Sequence, residues 1–287
     1  MDVEDLHARL AAAIELVAAD DRPAFVRGWI ANLPKNEQTA VVALMGILSF
    51  NSQLPTKHIV VLLHGIRTAG VWQDAVKRMF EGTNVTVVPL GYGYFDALRF
   101  AIPWGRSGAI SLVSRELQAL KRDYPSSDIS VIAHSFGTYI ITKVLAPDQG
   151  IRLKRLLLCG SIVPTDFAWE NVKGKPPRDS IVNDVGTRDI WPVLARTLTW
   201  GYGTSGTYGF KQTAVTDRYH DLAHSDFFSE LWVRKFWLPF ISDGTIHPSD
   251  WEKVRPTPPT YLALLGVIQL KYIVMLLLAS GGWWLWR

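Results

Sequence analysis

The residues of this chain that could do chemistry gather around one serine. In Ala133-His134-Ser135-Phe136-Gly137 a small residue stands two before the serine and another two after it. Ile129 to Ile132 reads as a short buried strand, and Thr138 to Leu145 as the start of a helix. This is the G-x-S-x-G nucleophile-elbow pattern with alanine in its first place. The spacing has a steric cause. The serine must sit on a tight, strained turn that lifts its hydroxyl above the sheet, and bulk at either flank would strike the neighbouring strand or helix. Alanine for glycine adds a single methyl group. A helix opening at Phe136 also aims backbone N–H groups at the site, which suits an oxyanion.

A serine nucleophile needs a base to take its proton and an acid to orient that base. Beyond Ser135 the histidines are His220, His224 and His247, and the candidate acids are Asp166, Asp184, Asp189, Asp217, Asp221 and Asp226. Two competing motifs are weaker. His220-Asp221-Leu222-Ala223-His224 is similar to H-E-x-x-H, but a zinc site needs that pair on one helix, a glutamate base and a third ligand. Its surroundings read as a strand end and a loop. Gly201-Tyr202-Gly203-Thr204-Ser205-Gly206 is formally G-x-G-x-x-G, yet it lacks the strand before and the helix after that dinucleotide binding requires. No metal or cofactor is expected.

The elements that must position these residues alternate. His58 to Leu63 is apolar throughout its last five residues, as a strand buried on both faces of a parallel sheet would be. It ends in His64-Gly65-Ile66-Arg67. An amphipathic helix over Val71 to Phe80 and a strand over Val85–Pro89 follow. Ile110, Val113, Leu117 and Leu120 mark a third helix. Further strands are expected at Arg155–Leu158 and Ser180–Asn183. The alternation implies a doubly wound, mostly parallel α/β sheet. Asp166 to Arg178 is polar and is expected as a loop over the site, and Trp200 to Gly209 as irregular chain.

Length and composition bound the rest. A chain of 287 residues, 48% hydrophobic and 20% charged, fits one large α/β domain with appendages. Net charge is only +4, with no basic stripe interleaved with aromatics, which argues against nucleic-acid binding. The single cysteine, Cys159, excludes an intrachain disulfide and reads as a small buried hydrophobe. The acidic start Met-Asp-Val-Glu-Asp lacks the apolar core of a secretory signal, so a cytoplasmic catalytic part is expected.

Both ends stand apart from the catalytic region, expected at 57–245. Residues 1–50 read as a helical extension, with Leu6, Leu10, Ile14 and Val17 at helical spacing and breaks at Pro23 and Pro34. It could serve as a protein-interaction module. Residues 256–287 read as a linker and a membrane anchor. Tyr261 to Trp286 is apolar except for Gln269, Lys271 and Ser280, and it ends in Trp283, Trp284 and Trp286. Lys271 costs about 2.5–3.5 kcal/mol in a bilayer, while about a dozen Leu, Ile, Val and Met residues return about 0.3–0.6 kcal/mol each. The balance favours insertion, as a single span or as a re-entrant hairpin broken near Lys271. Lys253 and Arg255 would place the catalytic side in the cytoplasm, on the inner membrane.

Four segments together carry a resemblance. Val60-Val61-Leu62-Leu63-His64-Gly65, the Ala133–Gly137 elbow, Asn183–Pro192 and His224-Ser225-Asp226-Phe227-Phe228 resemble the successive signatures of the α/β-hydrolase superfamily, most of all bacterial lipase-like serine hydrolases. The likeness covers about residues 57 to 242. It implies an acid in a Gly-x-x-Asp-x-x-Pro turn, matched by Gly186, Asp189 and Pro192. It also implies a base just ahead of the last helix, matched by His224 before Phe227–Trp237. The resemblance therefore implies a Ser135-Asp189-His224 triad, with Asp184 and His220 second in each role. It implies an oxyanion hole built from the amides of Ile66 and Phe136, with His64 and His134 structuring their turns. Hydrolysis of carboxylic esters, including lipid esters at a membrane, is the expected activity. A catalytically inactive, membrane-anchored binding module of the same fold is the alternative. Tyr92, Tyr94, Phe95, Trp104, Trp169 and Trp200 are the aromatics expected to line an acyl pocket.

Overall fold

The computed structural model describes residues 28–35, 37–39, 58–65, 71–91, 100–147, 150–177 and 180–286. The chain divides into two compact units, Met1–Pro55 and Thr56–Arg287. In the first, residues 28–31 are helical and Leu33 is buried against Trp29 and Ile30, ahead of Pro34. The expected helices before and after this piece lie outside the described residues.

In the second unit the described residues form one six-stranded sheet. Its strands are β1 (His58–Leu63), β2 (Val85–Leu90), β3 (Asp128–His134), β4 (Leu156–Cys159), β5 (Ile181–Gly186) and β6 (Thr216–His220). They lie in the order β2-β1-β3-β4-β5-β6, and every pair is parallel. Helices α1 (Val71–Met79), α2 (Ser107–Asp123) and α3 (Phe136–Leu145) follow β1, β2 and β3. Helix α4 (Trp191–Leu198) follows β5, and α5 (Ser205–Tyr208) is one turn inside the Gly- and Tyr-rich segment.

The apolar runs of the central strands divide by parity, because successive side chains on a strand face opposite ways. Ile59, Val61, Leu63, Val131 and Ala133 pack with Val113, Leu117, Phe136 and Ile140 from α2 and α3. Val60, Leu62, Ile132 and Leu157 pack on the other face with Trp72, Val76, Phe236 and Phe240. Each such side chain contributes about 1.5–3 kcal/mol on full burial. A sheet buried on both faces explains why these strands are continuously apolar.

Three expectations are refined, and of the two readings of the tail the structure has the broken one. The strand β6 stands where the sequence suggested only a strand end, and its residues Thr-Asp-Arg-Tyr-His carry no apolar alternation. The helix expected over Phe227–Trp237 starts later and runs further: after a 3-10 turn at Asp226–Phe228 the chain is helical without a break from Glu230 to Ser242, as α6 (Glu230–Trp232), a π-helical turn at Val233–Trp237 and α7 (Leu238–Ser242). The apolar tail is two helices, α8 (Thr260–Val267) and α9 (Leu270–Trp286), bent by 45° at Ile268–Gln269. Among the described residues no single helix is long and apolar enough to cross a membrane. Tertiary contacts hold both halves. Both α8 and α9 pack against α4. Lys271 Nζ donates to the carbonyls of Arg196 and Thr199 at its end, both at 3.3 Å.

Candidate active site

Ser135 follows the last residue of β3 with φ 53° and ψ −120°, in the left-handed region that a serine rarely adopts. Neighbouring backbone holds it there. Its amide donates to Cys159 O at 3.1 Å, and its carbonyl accepts from both the amide and the hydroxyl of Thr138, at 3.0 and 2.6 Å. Contact explains the glycine of the motif and the one facing it after β1. A Cβ on Gly137 would lie 2.7 Å from the carbonyl oxygen of Leu63, and one on Gly65 would lie 2.9 Å from Ser135 Cβ. Phe136 is the first residue of α3, at the positive end of its dipole. Ile66, expected to supply the other oxyanion amide, lies outside the described residues.

Asp189 is fully buried in the turn after β5, and both of its carboxylate oxygens are occupied. Oδ1 accepts the amide of Trp191 at 3.0 Å, at the N-terminus of α4, where a carboxylate is favoured. Oδ2 pairs with His224 Nδ1 at 2.7 Å. A carboxylate only accepts here, so Nδ1 carries the proton and Nε2 is left with its lone pair. The acid and base loops are stitched to each other. The amide and hydroxyl of Thr187 both donate to His220 O, and the Arg188 amide donates to Leu222 O. Ser135 and His224 line one cleft of about 570 Å³, together with Gly65, Phe100, Trp191, Leu198 and Thr199.

The second-choice pair is elsewhere engaged. Asp184 lies within β5 and is completely buried. Arg218 grips both its oxygens at 2.6 and 3.0 Å, Trp237 Nε1 donates at 2.8 Å, and His220 Nε2 lies at 3.3 Å. Burial pushes the Asp184 carboxyl up, but Arg218 and His220 outweigh it and hold the group below the usual carboxylate range. His220 Nδ1 meets Ser249 Oγ at 3.1 Å. Neither residue lines the cleft. The H-x-x-x-H spacing therefore brings no shared ligand pair together, since the two histidines answer to different carboxylates. Among the described residues no cluster of three His, Cys, Asp or Glu could hold a metal ion. Cys159 is buried, and burial followed by the charges of Asp184 and Asp189 pushes its thiol up, keeping it un-ionised.

The cleft walls differ from the aromatics expected. Trp169 is fully buried against Phe167 and Phe210, and Trp104 and Trp200 do not line the cleft. Tyr92, Tyr94 and Phe95 lie outside the described residues. Of the expected loop over the site, no described residue lines the cleft. Trp191 and Leu198 of α4 line it instead. The sequence also gave no sign of Arg106, buried without a carboxylate partner among the described residues. It donates to the carbonyls of Phe100 and Ala101 and to Thr199 Oγ1 at 3.0–3.3 Å, and lies 3.9 Å over the Tyr202 ring. It thereby clamps Phe100–Ala101 to Thr199, three residues of the cleft wall. The G-x-G-x-x-G glycines serve packing: the Gly206 amide donates to Ser161 O at 2.7 Å.

No family model matches the chain, and no curated protein matches it. Among solved structures it is similar to a cold-adapted esterase from an Arctic intertidal metagenomic library, at 16% identity and TM-score 0.45, over 63% of this chain and 80% of that one. It is also similar to the poly(3-hydroxybutyrate) depolymerase LpqC of Bordetella parapertussis, at 14% identity and TM-score 0.44, over 74% and 84% of the two chains. A third is an α/β serine hydrolase without lid from Xanthomonas campestris, at 14% identity and TM-score 0.41, over 72% and 87%. The decisive feature lies in this chain itself. A positive-φ serine after β3, a buried aspartate after β5 and a histidine after β6 stand on one parallel sheet, the chain order of the α/β-hydrolase fold.

Proposed function

We propose that this chain is a serine hydrolase of carboxylic esters with Ser135 as nucleophile, His224 as base and Asp189 as the acid that orients it. The observation that carries the reading is the 2.7 Å bond between His224 Nδ1 and a buried Asp189, beside an elbow serine in the same cleft. Ser135 Oγ attacks the acyl carbonyl while His224 Nε2 takes its proton. Asp189 keeps the proton on Nδ1 and stabilises the imidazolium. The amides of Phe136 and Ile66 receive the oxyanion. His224 then protonates the departing alcohol, and a water, deprotonated by the same nitrogen, releases the acid. A fluorophosphonate probe tests this directly. Wild-type chain should be labelled and S135A should not; an unlabelled wild type would leave the inactive binding module as the reading.

Lipid esters at a membrane surface are the substrate class the tail supports. Leu264, Val267, Leu276 and Leu277 are exposed on α8 and α9, an apolar surface of the kind that seeks a partner or a bilayer. Lys271 anchors this surface to the carbonyl of Thr199, which itself lines the cleft. Lys253 and Arg255 would keep the catalytic unit on the cytoplasmic side of the inner membrane. Hydrolysis rates over esters of increasing acyl length, dispersed and in vesicles, test the assignment; a preference for short, dispersed esters would overturn it.

A further inference from the structure

His134 precedes the nucleophile by one residue, yet its ring serves the base. Its Nε2 lies 3.0 Å from the backbone carbonyl of His224, 90 residues further along the chain. A carbonyl can only accept, so Nε2 carries the proton and donates. The ring is buried, at 1% exposure, and it is fixed on several sides. It lies 4.4 Å from the His224 ring, 4.9 Å edge-on to Phe228 and 6.1 Å edge-on to Trp72. Its Nδ1 is buried without a hydrogen-bond partner among the described residues. Burial, and next the neighbouring His224, hold this imidazole well below its ordinary pKa, so the ring stays neutral beside a base that becomes cationic in each turnover.

We infer that His134 is a positioning residue: its Nε2–H fixes the main chain at His224, so that the strand carrying the nucleophile also sets where the base stands. Asp189 holds the far side of the same imidazole by Nδ1, and the bond from His134 fixes the backbone to which that imidazole is attached. The two together fix His224, by its side chain and by its backbone, at the cleft it lines. This rests on the serine-hydrolase reading for its catalytic consequence, but the placement of His224 can be measured without turnover.

The test compares H134F, which keeps a ring and loses the donor, with H134Q, whose amide nitrogen reaches about as far as Nε2, and H134N, which is too short. The His224 imidazole resonances, assigned by their loss in H224Q, report the base in the resting protein. In H134F they should move toward those of an unrestrained histidine, and kcat on a soluble ester should fall about 10- to 100-fold. KM should stay within about threefold, since ground-state binding is untouched. H134Q should restore the resonances and kcat, and H134N should not. Wild-type resonances and kcat in H134F would overturn the inference. So would equal impairment of H134Q and H134F, which would mark a packing role only. Should H134F fail to fold, the contrast between H134Q and H134N decides. If wild type neither hydrolyses esters nor takes the probe while the resonances respond as described, the serine-hydrolase reading fails and the positioning role stands.

Discussion

Arg218 grips both carboxylate oxygens of Asp184 across the β5–β6 pair, the carboxylate fully buried and the arginine nearly so. Asp189, in the turn that follows the same strand, is equally buried but spends one oxygen on His224. The two aspartates should therefore fail differently. D184N leaves a buried guanidinium uncompensated and should cost about 3–5 kcal/mol of stability. D189N keeps the shape of the turn, and it should lower kcat about 10⁴-fold with little loss of stability. Urea unfolding and ester turnover on both variants separate the roles. The pH response follows from the same pair. The folded carboxyl of Asp184 lies below its unfolded value of about 3.9, so its stabilisation is complete above that value. It is lost as pH falls below about 3.9 toward the folded value, and D184N should lose this part of the acid sensitivity.

Ser135 holds a backbone conformation that suits glycine. S135A removes the proposed nucleophile and keeps the strain, so its stability should match wild type within about 0.5 kcal/mol. S135G removes both, and it should be as inactive as S135A yet more stable than it by about 1 kcal/mol or more. Thermal melts of the two proteins check this; equal melting temperatures would mean the elbow stores no strain.

Gly160 closes β4 with φ 54°, directly beneath the base. A Cβ there would lie 2.8 Å from both Cε1 and Nδ1 of His224. G160A must push the imidazole away from Asp189 or distort the strand end. A displacement of about 1 Å costs about 10²-fold in rate, so kcat should fall by that order while probe labelling slows in parallel.

The tail should be separable from the chemistry. A chain ending at Arg255 keeps Ser135, Asp189 and His224 and should still cleave small soluble esters. It should no longer float with phospholipid vesicles, and its rate on esters embedded in them should fall, because local substrate concentration is lost rather than catalytic power. K271L gives up the bonds to Arg196 and Thr199 and removes an ammonium from the apolar stretch, so it should bind vesicles more tightly than wild type. Flotation assays distinguish these outcomes. Loss of an oligomer on truncation, with no change in flotation, would point to an interface between copies.

What the sequence made legible was whatever apolar burial or backbone sterics dictates. The continuous apolar runs of β1 and β3 announced a sheet covered on both faces, and the spacing of Ala133, Ser135 and Gly137 announced the elbow. The strand β6 escaped because its stabilising contacts are polar: Arg218 points at Asp184, so alternation never develops. Arg106 escaped for a similar reason, since a buried cation satisfied by carbonyls and a ring face looks like any surface arginine in sequence. Of the expected acyl-pocket aromatics, Trp104, Trp169 and Trp200 were misplaced, because a tryptophan in a loop packs inward or faces solvent as readily as it faces a cleft; Trp169 packs inward. A break near Lys271 was one of two readings of the tail; that Lys271 meets carbonyls at the end of α4 is a contact between distant segments that no local pattern encodes.

The wholly parallel sheet has a consequence for how activity is acquired. No two neighbouring strands among the described residues are joined by a hairpin; each pairing waits for a crossover to close, and β1 bonds to both β2 and β3. Contacts of such long sequence separation form slowly, because loop closure must be completed before they reward the chain. Ser135, Asp189 and His224 depend on three different strands of this sheet. On refolding from urea, helical circular dichroism should therefore recover first, and fluorophosphonate labelling should return only with the last, slowest phase.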